Sequence, residues 1–101
     1  MGKISLVFQD DLLKTYREAK KIGYKPGIFL DMIGSYGGVE TAKKLLSTDE
    51  YIQDGITRLW ELNRLDLSVE AVVLKTGYRD LFTETERDIA KKRLTNLGYF
   101  N

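Results

Sequence analysis

The sequence has no cysteine and no histidine, and its 101 residues include a single proline, Pro26, and a single tryptophan, Trp60. Without cysteine there can be no disulfide, no thiolate nucleophile and no thiolate-ligated zinc. Without histidine the usual general base near neutral pH is missing as well. A catalyst in this chain would have to be assembled from carboxylates, tyrosine, lysine and hydroxyl groups, or around an oxygen-ligated metal. No apolar run approaches the ~20 residues of a membrane span, and the N-terminus lacks the basic segment and apolar stretch of a secretory signal. The Met1-Gly2 opening does not complete a myristoylation motif, because Leu6 stands where serine or threonine is required. These absences lead us to expect a cytoplasmic protein with no membrane attachment, no cofactor and no enzymatic activity.

What remains is ordinary for a soluble globular chain: 43% hydrophobic residues and 31% charged ones. One domain fits this length, and it would bury roughly 65% of the surface exposed by the unfolded chain. The formal net charge is only +1, but it is unevenly spread. Basic residues outnumber acidic ones in residues 1–25 and 75–101, whereas acidic residues prevail in 26–74. Basic ends flanking an acidic middle can guide a charged partner or simply aid solubility.

Hydrophobic periodicity predicts helices nearly throughout. Residues 4–8, ISLVF, are the exception: short, apolar and partly β-branched, they read as a strand, as a continuation into the first helix or as an extended arm. Asp10 or Asp11 can cap a helix running to Ile22, with Leu12, Leu13, Tyr16 and Ala19 on one face and Gly23 as its stop. Lys14, Arg17 and Lys21 occupy the other face, where Glu18 is spaced to pair with Lys14. Pro26 suits the first turn of a second helix carrying Ile28, Phe29, Met32 and Ile33, and Gly37-Gly38 then breaks the chain before residues 39–46 resume helical spacing.

Residues 56–62 and 67–75 predict two more helices, with Asn63 ending one and Asp66 capping the other. Thr83 and Glu86 form a T-x-x-E capping box for a last helix, with Ile89, Ala90, Leu94 and Leu97 inward and Gly98 as stop. The expected fold is therefore all-α: a compact single domain of five to six short helices over residues 10–101, preceded by a strand or arm over residues 1–9.

Three constellations could carry chemistry. The glycines of residues 34–38 precede a helix N-terminus, but they lack the G-x-x-x-x-G-K-[ST] spacing and follow no strand, so Gly37 and Gly38 read as a turn that lets two helices approach closely. Asp66 and Glu70, with Glu61 or Asp54 nearby, could hold a divalent cation; a helix cap at Asp66 and an ion pair from Glu70 to Arg64 or another basic residue explain them as well. Trp60 with Tyr51, Tyr24 and Phe29 could form a stacking platform or a partner anchor, yet Leu59 and Leu62 beside it favour a buried pillar. Nucleic acid could be contacted through Lys14, Arg17 and Lys21 together with Lys91, Lys92 and Arg93 if the terminal helices lie side by side. No helix-turn-helix signature singles out a recognition helix.

The blocks GGVETAKKLL, LWELNRLDLSVEAVVL and LFTETERDIAKKRLTNLGY, behind a Tyr-x-Pro-x-x-Phe lead-in of Tyr24, Pro26 and Phe29, resemble a small, largely uncharacterised bacterial helical domain. The resemblance spans roughly residues 16–99, with Tyr24, Pro26, Gly37, Gly38, Trp60, Arg64, Asp66 and Glu70 as its signature positions. It implies a module that stands alone or is appended to the C-terminus of larger proteins, including restriction-like or defence-type ones, and it brings no catalytic residues. The expected role is thus a non-enzymatic interaction or regulatory module whose partner is another protein or a second copy, with nucleic-acid binding as the alternative.

Overall fold

A computed structural model describes residues 3–24, 27–47 and 56–100. Pro26, Tyr51 and Asp54, and with them the helix-start, stacking and cation-site roles expected of them, lie outside the described residues.

The first helix, α1, runs Lys3–Lys21. Of the readings open for residues 4–8, the continuation into the first helix is the one observed; they are neither a strand nor an extended arm, and residues 3–9 belong to the body of the domain. The reason lies in the helical register: Phe8, Leu12 and Ala19, spaced by four and seven, form one buried stripe. Phe8 is completely enclosed, with Tyr78 and Phe82 set edge-on to its ring at centroid distances of 5.0 and 5.1 Å. Burying such a side chain is worth about 1.5–3 kcal/mol, enough to draw a short apolar run into helix when helix is what puts it in the core. Asp10 and Asp11 consequently sit within α1 instead of capping it, and Glu18 pairs with Lys21 at 2.9 Å, not with Lys14.

α1 ends where expected. Gly23 has φ 95°, Tyr24 N–H reaches the Ala19 carbonyl at 2.9 Å and Gly23 N–H that of Lys20 at 3.2 Å, which together make a Schellman turn. α2 follows at Gly27–Tyr36 and α3 at Gly38–Leu46, with Gly37 at φ 83° as the pivot. Gly38 is a point of close helix approach: a Cβ there would lie 2.8 Å from Gln9 Cα and 2.9 Å from its Cβ. The close contact is polar as well as steric, because the Gly38 amide, one of the unpaired donors at the start of α3, donates to Gln9 Oε1 at 2.9 Å. The glycines at 37 and 38 therefore act as the close-packing turn that their pattern suggested.

Residues 56–61 form α4, which ends in a second Schellman turn with Asn63 at φ 59°, Arg64 N–H on the Leu59 carbonyl at 2.8 Å and Asn63 N–H on that of Trp60 at 3.0 Å. A 3₁₀ turn at Leu65–Leu67 leads to the short α5, Val69–Val73. The cap of α5 is Ser68, whose hydroxyl accepts from the Ala71 amide at 3.1 Å and donates to the Leu65 carbonyl at 2.7 Å; Asp66, the expected cap, lies two residues early, inside the 3₁₀ turn. A second 3₁₀ segment, Thr76–Leu81, precedes α6 at Glu84–Asn96, which opens on the complete Thr83–Glu86 capping box and closes on a third Schellman turn at Gly98, φ 79°.

The helices enclose two adjoining apolar clusters. Phe8, Leu46, Val72 and Ala90 centre the larger one beneath α1, α3, α5 and α6; Ala19, Leu59, Leu65 and Leu94 centre the other toward the end of the molecule where α4 sits. The radius of gyration, 12.4 Å, is what a compact chain of about 100 residues should have. Among the described residues there is no strand, and the all-α single-domain architecture is as the sequence led us to expect. No described helix is long and apolar enough to cross a membrane.

Candidate functional site

Trp60 is the largest departure from the sequence reading. It leaves α4 half exposed, at 50%, whereas its neighbours Ile56 and Leu59 are buried. The stripe begun at Ile56 continues on a helix through either i+3 or i+4, and α4 lies so that Leu59 faces the core and Trp60 faces outward. The enclosed aromatic pillar of this domain is Phe8, not Trp60.

Trp60 overlooks a shallow cleft of about 220 Å³ lined by Asn63, Leu65, Asp66, Leu97, Gly98 and Tyr99. Its walls are the ends of two helices. The Schellman turn of α4 carries Asn63, and that of α6 carries Gly98, so the two chain reversals face one another with an aromatic residue beside each. Tyr99 is 39% exposed and Phe100, edge-on to it at 5.2 Å, more so. At the rim Arg64 grips Asp66 through two parallel hydrogen bonds, Nε to Oδ1 at 3.0 Å and Nη2 to Oδ2 at 3.2 Å, the planar fork geometry that fixes both side chains. Asn63, Leu65, Leu97 and Tyr99 were not singled out from sequence as cleft residues; the available signal was the aromatic pair directly after the Gly98 stop, which a helix end leaves outside the core.

Glu70 is placed elsewhere. It is buried, 2% exposed, and its partner is Arg93 of α6, Nη1 to Oε2 at 3.2 Å, not Arg64. Burial pushes the Glu70 carboxyl above its ordinary range, while local backbone hydrogen bonding and the Arg93 charge pull it back. Arg93 also donates to the carbonyls of Leu45 and Leu46 at 3.1 and 3.2 Å, satisfying the C-terminal end of α3. Arg93 is therefore a bolt joining α3, α5 and α6 and is removed from the set of candidate nucleic-acid contacts. Asp66 and Glu70 each have a separate arginine, and among the described residues no three carboxylates converge into a cation site.

The other basic candidates are on the surface. Lys14, Arg17, Lys21, Lys91 and Lys92 are all exposed, and of these Lys21 pairs with Glu18. α1 and α6 do not form a principal contact pair; each packs on α3 and on α5. The side-by-side arrangement that would merge their basic faces is thus not observed. Of the remaining signature positions, Tyr24 closes the α1 turn while Gly37 and Gly38 set the α2–α3 corner.

Beneath α1, Asp11 receives Lys75 Nζ at 3.0 Å and the Tyr78 hydroxyl at 2.8 Å. Partial burial would raise its carboxyl, but those two hydrogen bonds and the charges of Lys75 and Lys14 outweigh it and hold the pKa below the ordinary value. The same contact, added to burial, pushes Tyr78 up to about 12. Glu86 is held down in a similar way by Lys43 and the Thr83 amide, against the opposing effect of burial.

Comparison with protein-family models, with curated proteins and with solved structures returns no match.

Proposed function

We propose that this domain is a non-enzymatic protein-interaction module that docks its partner at the Trp60–Tyr99 cleft. The observation that carries the reading is the half-exposed Trp60 facing Tyr99 across two ordered helix ends. Tryptophan and tyrosine are the side chains that most often anchor protein interfaces, because they remove much apolar area from water while freezing few torsions. Hydrogen-bonded turns already fix the backbone on both sides, so little further ordering accompanies docking. The arginine–carboxylate pair at the edge supplies the polar rim. At about 220 Å³ the cleft is smaller than the ~300–1,000 Å³ of typical small-molecule sites, which favours a partner's side chain over a cofactor.

In this reading the module works in the bacterial cytoplasm as a stand-alone or appended unit, including in defence-type systems, as the sequence resemblance implies. A photo-crosslinking residue placed at Tyr99 in cells should give a discrete protein adduct that Trp60→Ala abolishes and Lys91→Ala leaves intact. No adduct, or one indifferent to Trp60→Ala, would overturn the proposal.

A second reading, an accessory nucleic-acid-binding role, draws support from Lys14 and Arg17, exposed one turn apart on α1 and without an ion pair among the described residues. It requires affinity that falls steeply with salt and drops when both are neutralised. Lack of binding at low salt would dismiss it.

A further inference from the structure

The first turns of α1 carry the most exposed aliphatic side chains described in the molecule: Leu6 at 64% and Val7 at 52%. They lie between two charges of opposite sign, Lys3 before them and Asp10 after, both exposed and neither in an ion pair within the chain among the described residues. At about 100° per residue, Lys3, Leu6, Val7 and Asp10 fall within one arc of about 100° on the outer face of the helix. The spacing three, one, three is symmetric about its middle, and so is the chemistry, apart from the reversed sign at the two ends.

That reversal determines what the face can meet. We propose that it pairs with the same face of a second copy of this chain, antiparallel, about a two-fold axis passing between Leu6 and Val7. In that register Leu6 of each copy opposes Val7 of the other, and Lys3 of each copy meets Asp10 of the other at both ends of the contact. A parallel arrangement would set Lys3 on Lys3 and Asp10 on Asp10, so charge complementarity selects the antiparallel one. The buried face of the same helix holds Phe8 and Leu12, so the dimer needs no rearrangement of the core.

The contact extends over about 12 Å of each helix, too short to bury the ~1,200 Å² of a standard stable interface. The pairing is therefore weak and concentration-dependent, with dissociation in about the micromolar-to-millimolar range. It uses a surface separate from the Trp60 cleft and stands independently of the function proposed for that cleft.

Sedimentation of the full chain at low ionic strength, over concentrations from about 10 μM to about 1 mM, tests it. The wild type should shift from monomer toward dimer as concentration rises. Leu6→Glu should remain monomeric with unchanged helicity, because Leu6 supports no core contact, and Trp60→Ala should dimerise like the wild type. Lys3→Glu and Asp10→Lys should each weaken association, whereas the double variant, or an equimolar mixture of the two single variants, should restore it. A wild type that stays monomeric throughout would overturn the proposal and leave the face to a different protein or to a lipid surface. A dimer that survives Leu6→Glu, or a double swap that fails to restore pairing, would overturn it equally.

Discussion

Arg93 of α6 and Glu70 of α5 form a buried ion pair, Nη1 to Oε2 at 3.2 Å, in which the arginine also holds two carbonyls at the end of α3. Removing one member of such a pair leaves an uncompensated charge inside, a loss of about 3–5 kcal/mol. Arg93→Ala should destabilise the fold by that order near neutral pH and by less in acid, where Glu70 can take up a proton. Glu70→Gln should be milder, since an amide still accepts from the guanidinium. Urea denaturation of the three proteins at two pH values checks both the order and the pH trend.

Phe8 should be the most sensitive core position. Phe8→Ala empties the site between Tyr78 and Phe82 and should lower stability by about 3–5 kcal/mol. That is a large part of the roughly 5–15 kcal/mol available to a domain of this kind. Deleting residues 1–9 should therefore unfold the protein, which chemical denaturation and circular dichroism would show, whereas a dispensable arm would leave it intact.

What the sequence makes legible has local causes, and what it leaves open is decided by distant partners. The stops at Gly23, Asn63 and Gly98 and the Thr83–Glu86 box were legible because each depends on residues within one turn of itself. Residues 4–8 are ambiguous in sequence because four apolar residues in a run of five fit a strand, an arm or the first turns of a helix equally well, and the choice is made by Tyr78 and Phe82, some seventy residues away. Trp60 was misplaced because periodicity allows i+3 or i+4 from Ile56, and only tertiary packing selects Leu59. Arg93 read as one of three surface bases because nothing near it in sequence marks Glu70, Leu45 and Leu46 as its partners. The cleft was invisible for the same reason: it exists only where the ends of α4 and α6 meet.

Gly38→Ala should destabilise through a clash and not through backbone strain, because its Cβ would fall 2.8 Å from Gln9 Cα on the neighbouring helix. Forcing α1 and α3 apart should lower stability by about 1–3 kcal/mol. Gln9→Ala tests the polar half of the contact; losing the Gln9 acceptor of the Gly38 amide should lower stability by about 1 kcal/mol. Thermal melts of the two variants should rank Gly38→Ala as the more damaging.

The ion pairs set opposite responses at the two ends of the pH scale. Asp11 and Glu86 have carboxyls held below their unfolded values, so their contribution is complete above the ordinary carboxylate range and is lost as pH falls through the lowered values. Glu70, raised by burial, runs the other way and contributes nothing to acid unfolding. Tyr78 is raised to about 12, so its contribution is whole below the unfolded value of 10.0 and disappears between there and about 12. Tyr78→Phe should remove that alkaline step and also soften the Asp11 part of the acid limb, because it deletes one of the hydrogen bonds that hold the Asp11 carboxyl down, while the Glu86 part stays in place, as denaturation across the pH range would record.

The claim on which the functional reading depends is that Trp60 stands in solvent as an anchor instead of inside as a pillar. It is the only tryptophan of the chain, so selective excitation reports on it alone. The emission of the folded protein should lie close to that of tryptophan in water, should be readily quenched by acrylamide, and should change little in wavelength on unfolding. A blue-shifted emission, protected from the quencher and moving to the red on denaturation, would contradict it.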